Sequence, residues 1–219
     1  MKNKIVFTSI APQFNLPHPV PASKIVPEWW RKAPGVTDGV ETMKKCVPIL
    51  DSLTSGYVIT LGVDVFKRKG EEKFSVDSQI PIITQHLKLQ TSFFPTHKIY
   101  DEQPYKWTNH WEIKTPKGYS CLFIHPLNSP QLPFHSFSGI VDTDTHPVVI
   151  NFPFVIEKDF DGVIPAGTPI IQIIPFKRDS WESKVIDDKD YVEIPRFFEV
   201  FNPPYSWYKR KSWTKKVYR

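Results

Sequence analysis

Twenty-two prolines against nine glycines, scattered along the whole of a 219-residue chain, restrict the fold more than any other feature. Proline has no backbone N–H and holds φ near −65°, so it breaks helix interiors and is pushed to the edges of sheets. A helical bundle does not tolerate such a distribution, whereas short strands joined by stiff loops do. With 40% hydrophobic and 14% aromatic residues, the chain has ample material for a core. Its length suits one large domain or one domain with extended arms.

Two cysteines, Cys46 and Cys121, are too few for a disulfide framework, and a reducing compartment is expected. Both sit in apolar runs and read as inert core thiols. Lys2 and Lys4 are followed by only three apolar residues, so no secretory leader is expected at the N-terminus. No run approaches the ~20 apolar residues of a membrane span, so a soluble protein without membrane contact is expected. The net charge is +5, but six of the 28 Lys and Arg and none of the 23 acids lie in residues 205–219. That leaves 22 basic and 23 acidic residues elsewhere, a nearly neutral body with a basic tail.

Residues 1–46 read as a Pro-rich N-terminal arm. Pro12, Pro17, Pro19, Pro21, Pro27 and Pro34 favour extended backbone, while Phe14, Leu16, Trp29 and Trp30 give the arm apolar surface that lies on a body, its own or a neighbour's. Pro27 to Lys32 opens a short helix. Residues 47–178 read as a β-rich body. A second short helix is predicted over 47–55, with Gly56 as its C-cap. One strand is predicted from Tyr57 to Val65, ending in a solvated turn at Lys67–Gly70. Further strands are expected at 72–76, 86–90, 106–114, 119–125, 139–142 and 147–156, and a buried one at 169–176. Such spacing indicates a mainly β sandwich, barrel or jelly roll. Residues 179–219 read as short helices and loop ending in a basic aromatic tail.

The run Gly139-Ile-Val-Asp142-Thr-Asp144, followed by Ile164-Pro-Ala-Gly167-Thr-Pro-Ile-Ile-Gln172, resembles the third and fourth motifs of dUTPases and dCTP deaminases, whose fold is the β-clip. Ser55-Gly56-Tyr57 resembles the opening motif of that superfamily. The resemblance implies Asp142 as the carboxylate that deprotonates an attacking water. It also implies Gln172 in the nucleotide pocket beside Asp144, Tyr57 and Asn128, and magnesium if the protein hydrolyses nucleotides. Thr145 stands where the family stacks an aromatic ring, however. Val58 replaces an aspartate, and His125-Pro-Leu-Asn128-Ser-Pro replaces the phosphate-contacting Arg-Ser-Ser. Over most of its length the chain also resembles an uncharacterised family of tailed-phage proteins. The features carrying this are Pro21-Ala-Ser-Lys24-x-x-Pro27-x-Trp29-Trp30, Asn151-Phe-Pro-Phe and Ile173-Ile-Pro-Phe-Lys-Arg178. That resemblance implies a place in the host cytoplasm or the virion.

Other constellations point to other chemistry. His125, His135 and His146, with Asp142 and Asp144, supply metal-ligating groups within 22 residues, but no spacing among them matches a zinc signature. His110-x-Glu112 has the pair found in two-His-one-carboxylate iron sites, without a distal histidine. The tail interleaves Trp207 and Trp213 with Lys and Arg, a pattern that would stack on bases and neutralise phosphates of single-stranded nucleic acid. Its plainer reading is an amphipathic helix whose aromatics dock on the body or a partner and whose lysines stay in water. The expectation is therefore a non-catalytic phage protein, homo-oligomeric or bound to other phage proteins, with Trp29, Trp30, Trp207 and Trp213 as partner contacts. The alternatives are a dUTPase-type nucleotide enzyme and a single-strand binder.

Overall fold

The computed structural model describes residues 3–95, 97–185, 208–209 and 212–219. The N-terminal arm contributes strands β1 (Val6–Ser9) and β2 (Val20–Pro21), helix α1 (Glu28–Lys32), and a hairpin of β3 (Val36–Thr37) and β4 (Val40–Glu41). Helix α2 (Val47–Thr54) leads into β5 (Tyr57–Thr60), β6 (Val65–Lys67), β7 (Phe74–Val76) and β8 (Ile83–Gln85), before helix α3 (Lys88–Thr91). The remaining strands are β9 (Tyr105–Trp107), β10 (Trp111–Lys114), β11 (Tyr119–Ile124), β12 (Phe134–Ser136), β13 (Gly139–Val141), β14 (Phe152–Ile156), β15 (Gly162–Ile164) and β16 (Pro169–Lys177). The fold is mainly β, as the proline pattern predicts.

All strand pairs are antiparallel. One sheet runs β13-β11-β16-β5-β2 and another β12-β14-β9-β8, with a smaller sheet of β15-β6-β7. Cys121, Phe123, Ile171 and Ile173 from the first meet Tyr105, Trp107, Phe152, Phe154 and Ile156 from the second in one buried cluster. Phe123 stacks on Phe152 with centroids 5.4 Å apart, and Trp107 lies on Phe154 at 3.8 Å. Two sheets facing across a shared core are consistent with a β sandwich. Among the described residues no sheet closes into a barrel.

Prolines fall where one neighbouring strand has ended. Pro175 pairs with Cys121 of β11, but β5 has already stopped at the level of Ile173. Pro153 pairs with Lys106 of β9, and its carbonyl accepts from Phe137 N just past the end of β12.

The arm lies on its own body. β1 pairs with β10 and β2 with β5, and the Trp30 side chain is buried. Lys44 donates to the Trp30 carbonyl and places its ammonium 5.0 Å from the indole centre.

Several expected elements differ. The single strand from Tyr57 to Val65 is broken at Leu61–Asp64, where Leu61 exchanges backbone hydrogen bonds with the Gly167–Thr168 turn and Asp64 Oδ1 accepts from Ala166 N at 2.7 Å. Lys67 is not in a solvated turn; it ends β6 and is buried. The 106–114 strand is interrupted at Thr108–His110, where Asn109 bonds both the N–H and the carbonyl of Trp111. Residues 88–91 are helical, and the strand lies earlier, at β8. Only the second half of 147–156 is strand. Residues 179–185 form no helix, most of the segment after them is outside the described residues, and the expected tail helix is absent over 213–219, which is irregular. No helix among the described residues is long and apolar enough to cross a membrane.

Candidate functional site

Helix α2 organises most of the predicted ligand-binding residues. Pro48 lies in its first turn, where a missing N–H costs nothing. The chain leaves it through Gly56 at φ +71°, and a Cβ there would stand 2.0 Å from the Ile173 carbonyl oxygen. Only glycine permits that approach. The turn lays α2 against the face of β16 that carries Gln172.

The Gln172 side chain is buried and its amide is committed internally. Nε2 donates to Ser52 O at 2.9 Å and Ser55 O at 2.7 Å, while Oε1 accepts from Leu127 N at 3.0 Å. Both amide hydrogens are thereby used. Asn128, at φ +54°, donates from Nδ2 to Ser52 Oγ at 2.7 Å, and its carbonyl accepts from Trp29 Nε1 at 3.2 Å. Trp29 is half-buried and meets Trp30 edge-on.

The end of the tail docks on the same region. Trp213 Nε1 donates to both oxygens of Asp51, at 3.1 and 3.0 Å, and Lys216 Nζ reaches Oδ2 at 2.5 Å. Tyr57 donates its hydroxyl to the Arg219 carbonyl at 3.2 Å and packs edge-on against Tyr218 and Phe7. Burial, foremost, raises the Tyr57 pKa. Trp207 lies outside the described residues. Three of the predicted ligand residues and three of the four predicted partner tryptophans thus surround α2, held by contacts within the chain.

Asp142 and Asp144 stand elsewhere. The Asp144 carboxylate is almost wholly buried and accepts from Gly118 N at 2.7 Å, and Arg178 grips it through both Nη atoms. The Arg178 hydrogen bonds, then that of Gly118, hold Asp144 well below the usual carboxylate range. Asp142 is exposed; its Oδ1 accepts from Ser120 Oγ at 2.6 Å and lies 3.2 Å from Arg178 Nη1. Between them the Thr143 hydroxyl is buried against Thr115 and Cys121. Ser120 is opposite Phe176, and Gln172 is opposite Ile124. At ~3.3 Å per residue, the Asp142 and Gln172 levels are about 13 Å apart along the strand.

A search of protein-family models and of curated proteins returned no match.

His125 and His135 are brought together, with ring centroids 4.6 Å apart, and His125 Nδ1 accepts from Ser136 N. Burial first, then the neighbouring His135, pushes the His125 pKa down to about 4; burial also lowers that of His135. His146 sits in the turn after Asp142. Among the described residues no group of three or more His, Cys, Asp or Glu is placed to hold a metal. His110 instead meets the Pro81 carbonyl through Nε2.

Sequence reasoning missed Arg178, Asp51 and Lys67. Arg178 follows β16 directly and continues the alternation of Gln172, Ile174 and Phe176, which places it on their face. Lys67 shares a face with Val65, a signal that its charged neighbours Arg68 and Lys69 obscured.

Proposed function

We propose a non-catalytic phage protein with a dUTPase-like β body that acts in assembly, pairing with a second copy of itself through the apolar face around residues 87–94. One observation carries this reading: Leu87, Leu89 and Phe93 are 71%, 85% and 97% exposed within seven residues. Beside them lies a mostly apolar groove of about 550 Å³, whose wall includes Phe94, Phe137 and Phe152. Phe94 is stacked on Phe137 at 4.3 Å, which ties the segment to the body. Contiguous apolar surface of this kind marks an interaction site.

A projecting side chain beside a groove on one face fits a two-fold contact, in which each copy fills the other's groove. Leu87, Leu89, Phe93 and Phe94 offer on the order of 500 Å² of side-chain surface. With the groove walls, that approaches the ~800 Å² per partner of a standard interface.

Light scattering at tens of micromolar tests the proposal. A dimer or higher oligomer is expected, and Leu89→Ser with Phe93→Ser is expected to give monomers with an unchanged melting point. A wild-type chain that stays monomeric overturns it. The nucleotide-enzyme alternative would need Asp142 and Gln172 on one ligand, and their separation along the sheet does not favour it. Of the tail groups that the single-strand alternative would use, Asp51 already holds Trp213 and Lys216.

A further inference from the structure

A cleft of about 710 Å³ opens between the β6–β7 turn, the α3 segment and residues 101–105. In its wall is Lys67, with a side chain only 1% exposed. Strand pairing fixes it there, with Gly162 opposite on one side and Phe74 on the other. Lysine is almost never buried this deeply without a partner. The partner is Asp101, 3.3 Å from Nζ. That is longer than the 2.7–2.9 Å of a well-formed charge-assisted bond. Asp101 is itself tethered by its backbone N–H, which donates to Ile156 O at 2.8 Å. An ammonium carries three donors, and one loose pairing does not use them all.

The rest of the lining carries both signs. Lys88 and Lys158 repeat the charge of Lys67, whereas Glu71, Glu72, Asp101 and Glu102 bring acceptors and give the lining one more acid than base. Tyr105 also lines the cleft. Burial, then Asp101 and Glu72, pushes its hydroxyl up to about 12, so it remains a donor at neutral pH. A bare oxyanion would meet the lysines but also the repulsion of the carboxylates. A ligand that carries hydroxyls as well uses both sets.

The geometry points to a binding site for a small phosphorylated or carboxylated polyol, its anionic group on Lys67, Lys88 and Lys158 and its hydroxyls on Glu72 and Asp101. The cleft volume lies within the ~300–1,000 Å³ of small-molecule sites. Thr91 and Phe94 line both this cleft and the groove proposed for self-association, whereas Lys67, Asp101 and Lys158 line the cleft alone.

The test is a titration of the full chain, followed by melting temperature and calorimetry. The probes are ribose 5-phosphate, gluconate, ribose and inorganic phosphate. At least one anionic polyol is expected to raise the melting point by several degrees, well beyond ribose or phosphate alone; the two polyols distinguish phosphate from carboxylate. Lys67→Met is expected to lose the shift, and Lys158→Ala at the exposed rim to weaken binding about fivefold. If Lys67→Met fails to fold, Lys158→Ala and Lys88→Ala still decide the matter. No shift with either polyol at about 10 mM overturns the proposal, a concentration that would half-fill a site of only ~2.7 kcal/mol. It is equally overturned if phosphate alone gives the whole effect, an adventitious ion only, or if the shift survives in the lysine variants.

Discussion

Arg178 closes a two-pronged pair on Asp144, Nη1 to Oδ1 at 2.8 Å and Nη2 to Oδ2 at 2.5 Å, and so ties the end of β16 to the turn after β13. The pair holds the Asp144 pKa low in the folded state. A carboxylate depressed on folding contributes stability that is complete above its unfolded pKa of about 3.9 and is lost as the pH falls toward the folded value. Asp144→Asn is therefore expected to melt below wild type at pH 7. The gap should close as the pH drops below about 4. Melting curves across that range check it; a constant gap would mean the carboxylate charge is irrelevant.

The stacked histidines define a separate, higher window. His125 titrates at about 4 in the folded protein, against about 6.5 when unfolded. Between those values the unfolded chain binds a proton that the folded one does not, so stability falls as the pH is lowered from 6.5 to about 4. Urea midpoints for His125→Gln should show a flatter slope there than wild type.

Gln172 satisfies three backbone groups at once. Gln172→Leu keeps the bulk and removes all three bonds, so a loss of about 2–4 kcal/mol is expected, read from urea unfolding at unchanged slope. A loss under about 1 kcal/mol would mean that water replaces the amide without penalty.

Two glycines separate conformational strain from steric contact. Gly118 has φ +87° with open space around it, so Gly118→Ala should cost about 1 kcal/mol. Gly56 has φ +71° and the Ile173 carbonyl in the path of a side chain. Gly56→Ala should exceed Gly118→Ala by at least ~2 kcal/mol, or leave too little folded protein to measure.

What the sequence made legible was composition and local period. The run from Pro169 to Phe176 is apolar apart from Gln172 and carries four β-branched isoleucines, and it forms the long central strand β16 with Ile170, Ile171 and Ile173 buried. Helix α2 and its Gly56 exit could be read from the proline, the glycine and the apolar spacing between them. The interruptions could not. Leu61 follows the strand pattern of its neighbours and Asn109 departs from it at a single position, and what stops each strand is a contact with residues 102 to 107 positions away in the sequence or a side chain folding onto its own backbone. The candidate site failed for a related reason. Asp142 and Gln172 lie 30 residues apart in the sequence, but strand register sets them at different levels of the sheet. Register cannot be counted from one strand alone. Lys67 looked like the start of a basic turn because its burial depends on Gly162 and Phe74 arriving on either side.

The bonds from Gln172 to Ser52 and Ser55 span 120 and 117 residues. At ~5–20 residues per second, a ribosome takes roughly 6–24 s to make the chain between them. Throughout that interval α2 has no amide to grip and β5 lacks its main neighbour, since β16 supplies both. The nascent chain must therefore wait, with its first apolar strand uncovered, for one of its last. A ribosome stalled before residue 169 would display an unpaired edge at β5, and full-length chains should refold slowly for the same reason.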